Sequence, residues 1–354
     1  MKYLFYIGAA NARKNNWNGE IMRYGGVGVS GTEQSCVYYA EQLAQCHSVT
    51  LYAANCVTST IRNVTYTNQL SSFDSDYDAI VVTYPFDLPN QCFVHLKTLY
   101  LYFQCNTFHE YNLSRFKHIH PWCKIVAVHV SRYGLESTRH TTPTYDRYIT
   151  EDIILSNPIF TDVFDQYPIQ KIPRSIIFHA VWERGGDVVE KVRQALNWSL
   201  PILTANYDTQ AEKKSCDKSA VAQLLAKADY FIYPLINSNP LYYDVIHKDT
   251  FGCCVSEAMY MRVVVVTWRV AALAELYTDD EVVFVDFPEE ANQADLIKPI
   301  PIMRDPALRS EKAIQNIVKA IQQLEANPSR KKKLLENAYE KVKNKFTALE
   351  WCVC

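Results

Sequence analysis

The sequence has no excess of either charge: 36 Lys+Arg stand against 38 Asp+Glu in 354 residues, a formal net charge of -2. Without clustered Lys/Arg to neutralise phosphates, nucleic acid is excluded as the main partner. The one basic run, Arg330-Lys331-Lys332-Lys333, sits between Glu325 and Glu336 on a helical pattern and reads as a solvated helix face. No stretch approaches the roughly 20 apolar residues of a membrane span; Val263–Val266 is the longest aliphatic block. The opening MKYLFYIGAANA mimics a signal sequence, but its apolar run is at the short end and reads better as a buried first strand. No CxxC pair occurs among the eleven cysteines, and their odd number in a chain this long describes reduced thiols in the cytoplasm rather than a disulfide framework. Repeats of solenoid length and low-complexity segments are also lacking. What is present, 48% hydrophobic and 21% charged residues, is the balance of a folded chain with about two domains.

Short apolar strands alternate with amphipathic helices, the pattern of an α/β protein with parallel sheets. Strands are expected at Lys2–Ile7, Ser48–Ala53, Ala79–Thr83, Thr98–Phe103 and Lys124–His129, with a helix at Thr32–Gln45. Asn157-Pro158 and the polar stretch after it break the pattern. It restarts with strands at Ser175–Phe178, Pro201–Ala205, Tyr230–Pro234, Val263–Thr267 and Glu281–Asp286. Helices are expected between them at Asp187–Leu196, Lys218–Ala226, Val255–Tyr260 and Leu273–Tyr277. Ile314, Ile317, Ile321 and Leu324, then Leu334, Leu335, Ala338, Val342 and Phe346, keep a helical period on either side of Asn327-Pro328. The expected division is a Rossmann-like domain over 1–160, a second over 161–335, and a terminal helix over 336–354.

Two segments carry chemistry. Gly25-Gly26-Val27-Gly28-Val29-Ser30-Gly31 opens a helix, where glycines let a phosphate approach backbone amides. The loop from the first strand is too long for a dinucleotide turn, and Ala53-Ala54-Asn55 offers no carboxylate to an adenosine ribose. Anion or sugar-phosphate binding remains. The second segment is Asp249-Thr250-Phe251-Gly252-Cys253-Cys254-Val255-Ser256-Glu257. Here a turn caps a helix, and two carboxylates eight positions apart either serve the fold alone or suit a ligand rich in hydroxyls. His118, His120 and Cys123, without a second distant pair, do not make a zinc site. Trp17 in the polar loop is either an acceptor-stacking side chain or a plain loop tryptophan.

Ala228-Asp229-Tyr230-Phe231-Ile232-Tyr233-Pro234 followed by Asp249-Thr-Phe-Gly…Glu257-Ala-Met resembles the donor-binding segment of family 4 glycosyltransferases. Ile153–Ile159, Trp182–Gly186, Val263–Thr267, Ala271–Glu275 and Phe346–Trp351 extend the resemblance along the chain. It implies the GT-B fold: two Rossmann-like domains facing a cleft, with the last helix crossing back to the first.

It also implies a retaining transfer, by front-face substitution, from a UDP- or GDP-hexose to a glycan, glycoprotein or other hydroxyl acceptor, with no cofactor and no obligatory metal. In this resemblance Glu257 would hold the donor ribose. Asp249 would contact the transferred sugar, with Thr250, Phe251, Gly252, Cys253 and Cys254 lining sugar and phosphates. Arg184 would neutralise the pyrophosphate, faced by Gly25, Gly26 and Gly28. Tyr207 would lie near the base and His109 near the reacting sugar. Glu257→Ala would abolish transfer and leave the fold intact. Three departures stand out: Asp249 where the family has Glu, no glycine pair in Arg269-Val270-Ala271-Ala272, and His179 where a second basic residue is usual. An inactive scaffold of this shape and a nucleotide-sugar epimerase remain alternatives.

Overall fold

β1 (Lys2–Ile7) is buried over its last five positions, as a strand covered on both faces must be. The computed structural model describes residues 1–7, 16–69, 76–83, 95–104, 110–180, 184–205, 216–235, 249–285, 306–347 and 351. Two compact units result: Met1–Pro158 with Leu349–Cys354, and Ile159–Ala348.

In the first unit β1 is followed by α1 (Gly19–Tyr24), α2 (Gly31–Leu43), β2 (Ser48–Ala53), β3 (Ser59–Ile61), β4 (Val64–Thr67), β5 (Ala79–Thr83) and β6 (Thr98–Phe103). Then come α3 (Glu110–Ile119), β7 (Lys124–His129), α4 (Arg132–Thr141), α5 (Tyr145–Tyr148) and β8 (Glu151–Ile154). The sheet order is β3-β4-β2-β1-β5-β6-β7-β8, parallel except for the β3–β4 hairpin. One face is closed by Leu4, Ile80, Leu99, Leu101 and Ile125 against Leu113 and Phe116 of α3. That helix is not among the elements expected from the sequence. Leu113 and Phe116, its buried apolar residues among those described, stand at i and i+3 between polar neighbours, which gives the sequence little helical pattern.

Two local features set α1 against the end of α2. Arg23 pairs with Glu41 through both nitrogens, at 2.9 and 2.7 Å, fixing α1 to α2 in the interior. Gly19 makes room for that pair, because a Cβ there would lie 2.6 Å from the Tyr66 hydroxyl. Trp17 is 2% exposed and donates from Nε1 to Asn55 Oδ1 at 2.9 Å. It is a wall of this unit rather than a surface platform.

The second unit runs α6 (Thr161–Phe164), β9 (Ile176–Phe178), α7 (Gly186–Ala195), β10 (Leu203–Thr204), α8 (Lys218–Lys227), β11 (Tyr230–Tyr233) and α9 (Cys253–Tyr260). β12 (Val264–Trp268), α10 (Ala271–Leu276), β13 (Val283–Val285), α11 (Pro306–Glu325) and α12 (Pro328–Phe346) complete it. Its sheet is all parallel, in the order β10-β9-β11-β12-β13.

The segment 336–354 is divided between the units. α12 belongs to the second, where Phe346 meets Phe251 and Tyr339 meets Tyr260, with ring centroids 5.1 and 5.5 Å apart. Trp351 belongs to the first, buried among Phe5, Tyr39, Tyr100 and Tyr102. Among the described residues no helix is long and apolar enough to cross a membrane.

Candidate functional site

In the second sheet the chain leaves β9 for β10 on one side and returns to β11 on the other. Connections after β9 and β11 therefore diverge, and such a switch point opens a crevice at the carboxyl ends of the strands. The residues with chemistry collect there. His179 is the first residue after β9, Arg184 lies just before α7, and Tyr233 is the last residue of β11. Asp249 and Glu257 come in with α9.

Gly185 (φ +112) and Gly252 (φ +77) are the N-caps of α7 and α9, both in a backbone region that disfavours other residues. Neither helix start has a side-chain cap. Gly252→Ala would hold a side chain at positive φ and bring its Cβ to 3.0 Å from Leu273 Cδ2. The expected loss is about 1–2 kcal/mol, read as a fall of about 2–8 °C in the melting midpoint. An unchanged midpoint would show that the loop relaxes freely.

Arg184 Nη1 donates to the Tyr233 hydroxyl at 2.7 Å and to Asp249 Oδ1 and Oδ2 at 3.0 and 3.2 Å. Tyr233 in turn donates to Asp249 Oδ2. Burial raises the Tyr233 phenol well above its ordinary value, so it stays a donor. The Arg184 side chain is 29% exposed, and its buried Nε–H has no hydrogen-bond partner among the described residues. The guanidinium thus holds a carboxylate on one nitrogen and keeps donor capacity for another anion.

Glu257 is 3% exposed and accepts from two bases: Lys218 Nζ on Oε1, and His179 Nε2 on Oε2 at 2.6 Å. Burial pushes its carboxyl up, but the Lys218 charge and the His179 hydrogen bond outweigh this and hold it at about 2. Burial lowers His179 against the opposing pull of Glu257, leaving a neutral imidazole that donates. Glu257→Ala would leave the Lys218 charge without this partner in the interior, so the expectation of an intact fold gives way to one of destabilisation.

The sequence-derived residues separate into groups. Arg184, Asp249 and Glu257 come together with Gly252 in one unit, as do Cys253 and Cys254 at the start of α9. Thr250 is buried, and Phe251 turns inward onto Phe346 instead of lining a crevice. Gly25, at the end of α1, Gly26 (φ +73) and Gly28 belong to the other unit. Tyr207 and His109 lie outside the described residues.

The absent glycine pair leaves a mark: Ala271 takes φ +50 at the start of α10, where the Asp249 carbonyl accepts from Ala272 N at 3.4 Å. The backbone bend is kept and an alanine carries it.

Sequence reading passed over Tyr233 and Lys218 as functional residues and left His179 without a role. A lysine at the first position of a helix whose inward positions are otherwise apolar (Val221, Ala222, Leu225 and Ala226) was the available signal. A second polar cluster in the first unit joins Asn157 Oδ1 to Ser35 Oγ, the Tyr102 hydroxyl and Gln104 Nε2 at 2.9, 3.0 and 2.7 Å. Among the described residues no group of three or more His, Cys, Asp or Glu is placed to hold a metal.

No family model matches the chain, and no curated protein matches it in sequence. Solved structures do match. Sucrose-phosphate synthase of Thermosynechococcus elongatus aligns over 98% of this chain and 95% of its own, with a TM-score of 0.61 at 12% identity. A glycosyltransferase of Rickettsia africae covers 98% and 94%, with a TM-score of 0.59 at 13% identity. Anabaena HepE, in complex with UDP and glucose, covers 98% and 96%, with a TM-score of 0.54 at 11% identity. The fold is GT-B, with two Rossmann-like domains, as in these glycosyltransferases.

Proposed function

We propose that the chain is a glycosyltransferase that moves a sugar from a nucleoside-diphosphate sugar to a hydroxyl of a glycan or glycoprotein, in the cytoplasm and without an obligatory metal. The observation that carries this reading is the Arg184–Tyr233–Asp249 cluster standing with the ionised Glu257 at the switch point of the second sheet. HepE, of the same fold, is bound to UDP and glucose.

Each group has work to do in such a reaction. The Glu257 carboxylate accepts ribose hydroxyls, and Asp249 accepts hydroxyls of the sugar. Arg184 takes up the negative charge that grows on the diphosphate as the bond to the anomeric carbon breaks. The acceptor oxygen then bonds to that carbon on the face the diphosphate leaves. Its proton passes to the departing phosphate oxygen, and the anomeric configuration is retained.

Titration calorimetry of the pure protein against UDP, GDP, ADP and their sugars, with and without EDTA, tests the reading. One nucleotide is expected to bind at micromolar levels irrespective of EDTA. Asp249 already has Arg184 and Tyr233 as partners, which favours the inactive scaffold as second reading. Silence across the whole panel would select it.

A further inference from the structure

Among the described residues Glu257 is the one carboxylate of the site with a separate basic partner on each oxygen, and those partners come from two other elements. Lys218 is the first residue of α8, set by Asp217, whose Oδ1 caps Ala220 N at 2.8 Å. His179 follows the last residue of β9. Lys218 is 2% exposed and His179 0%, so both contacts are shielded from water.

We propose that Lys218 and His179 are positioning residues that hold the Glu257 carboxylate ionised and fixed in orientation for the ribose hydroxyls of the donor. This rests on the donor-site reading given above.

A carboxylate has about four lone-pair sites. Lys218 holds one oxygen and His179 the other, which fixes the plane in which the carboxylate meets the neighbouring hydroxyls of a ribose. Without the two bases a carboxyl this deeply buried takes up a proton. It then turns one acceptor into a donor, and its geometry no longer suits two hydroxyls. The groups that face it support the same picture. From α8 comes the Lys218 ammonium, from the β9 side the neutral imidazole, and on its own helix Cys254, whose thiol burial pushes up. One positive and one negative charge cancel, so the trio is stable in the interior only while Glu257 is ionised.

The test uses whichever of UDP-glucose, GDP-mannose and ADP-glucose binds the wild type, since an esterified diphosphate does not titrate between about pH 5 and 8. Wild-type affinity is expected to stay level over that range. Lys218→Met should bind about tenfold more weakly at pH 8 and weaken further towards pH 5, as Glu257 takes up a proton. Lys218→Arg, which keeps the charge, should recover most of the affinity and the level profile. His179→Leu should show the same acid weakening, and it carries the test alone if Lys218→Met gives no cooperative melt. His179→Gln, which keeps an N–H donor, should recover the level profile.

A Lys218→Met protein with wild-type affinity at both pH values would overturn the proposal while leaving the donor site standing. So would Lys218→Met and Lys218→Arg weakened equally with level profiles, the mark of mere structural support. Absence of binding by the wild type itself would remove the donor reading and this inference together.

Discussion

Glu257→Ala is expected to abolish measurable sugar transfer and to lower the unfolding free energy by about 3–5 kcal/mol, the cost of stranding a buried charge. The two losses have one origin. The carboxylate that would accept donor hydroxyls also neutralises Lys218, which is buried and reaches it on Oε1. Glu257→Gln separates them to a degree, because an amide keeps one acceptor for Lys218 while losing the charge.

The acid limb of stability supplies an independent check. Glu257 is held at about 2, below the ordinary 4.5 of an unfolded chain, so it stabilises the fold fully above that ordinary value. The contribution is lost as pH falls from about 5 towards about 2. Denaturant melts at pH 7 and pH 3 should therefore differ less in Glu257→Gln than in the wild type. Equal pH sensitivity in the two proteins would show that Glu257 is not the group that titrates, and wild-type transfer by Glu257→Ala would remove it from the donor site.

Arg184→Met is expected to lower kcat by about 100- to 1000-fold, the size of effect seen when one preorganised donor to a developing anion is removed. Arg184 is partly exposed, and its Nε–H has no hydrogen-bond partner among the described residues, whereas Glu257, Lys218 and His179 are buried. Its contribution should therefore appear mainly in turnover and only weakly in the melting midpoint. Arg184→Lys should recover part of the rate, since it keeps the charge but loses the planar fork. Steady-state kinetics beside thermal melts make the distinction. A lowered midpoint with unchanged turnover would make Arg184 a structural partner of Asp249 alone.

Buried parallel strands were plainly legible in the sequence. Lys2–Ile7, Ser48–Ala53, Ala79–Thr83, Thr98–Phe103 and Lys124–His129 all have the bounds expected of them, because a strand covered on both faces shows as a nearly continuous apolar run. Edge elements were not. β3, β4 and β8 are short and half polar, so they carry little pattern, and β10 shrinks to two residues where five were expected.

At the site, Asp249, Glu257 and Arg184 could be picked out because their spacing and neighbours resemble a known donor segment. Tyr233 looked like one more apolar strand residue, and its hydroxyl gained a meaning only from what lies beside it.

By itself the sequence determined the alternation of strand and helix, the apolar interior of the strands, and the turn that places Gly252 before α9. These are local properties, set by side-chain period and backbone preference within a dozen residues. Only the tertiary structure decided that Lys218 and His179, 39 and 78 residues before Glu257, would share its carboxylate, or that Arg184 would meet Asp249 across 65 residues. No local pattern encodes such meetings. They follow from the order in which parallel strands line up in the sheet, and from burial strong enough that each charge had to find its partner there.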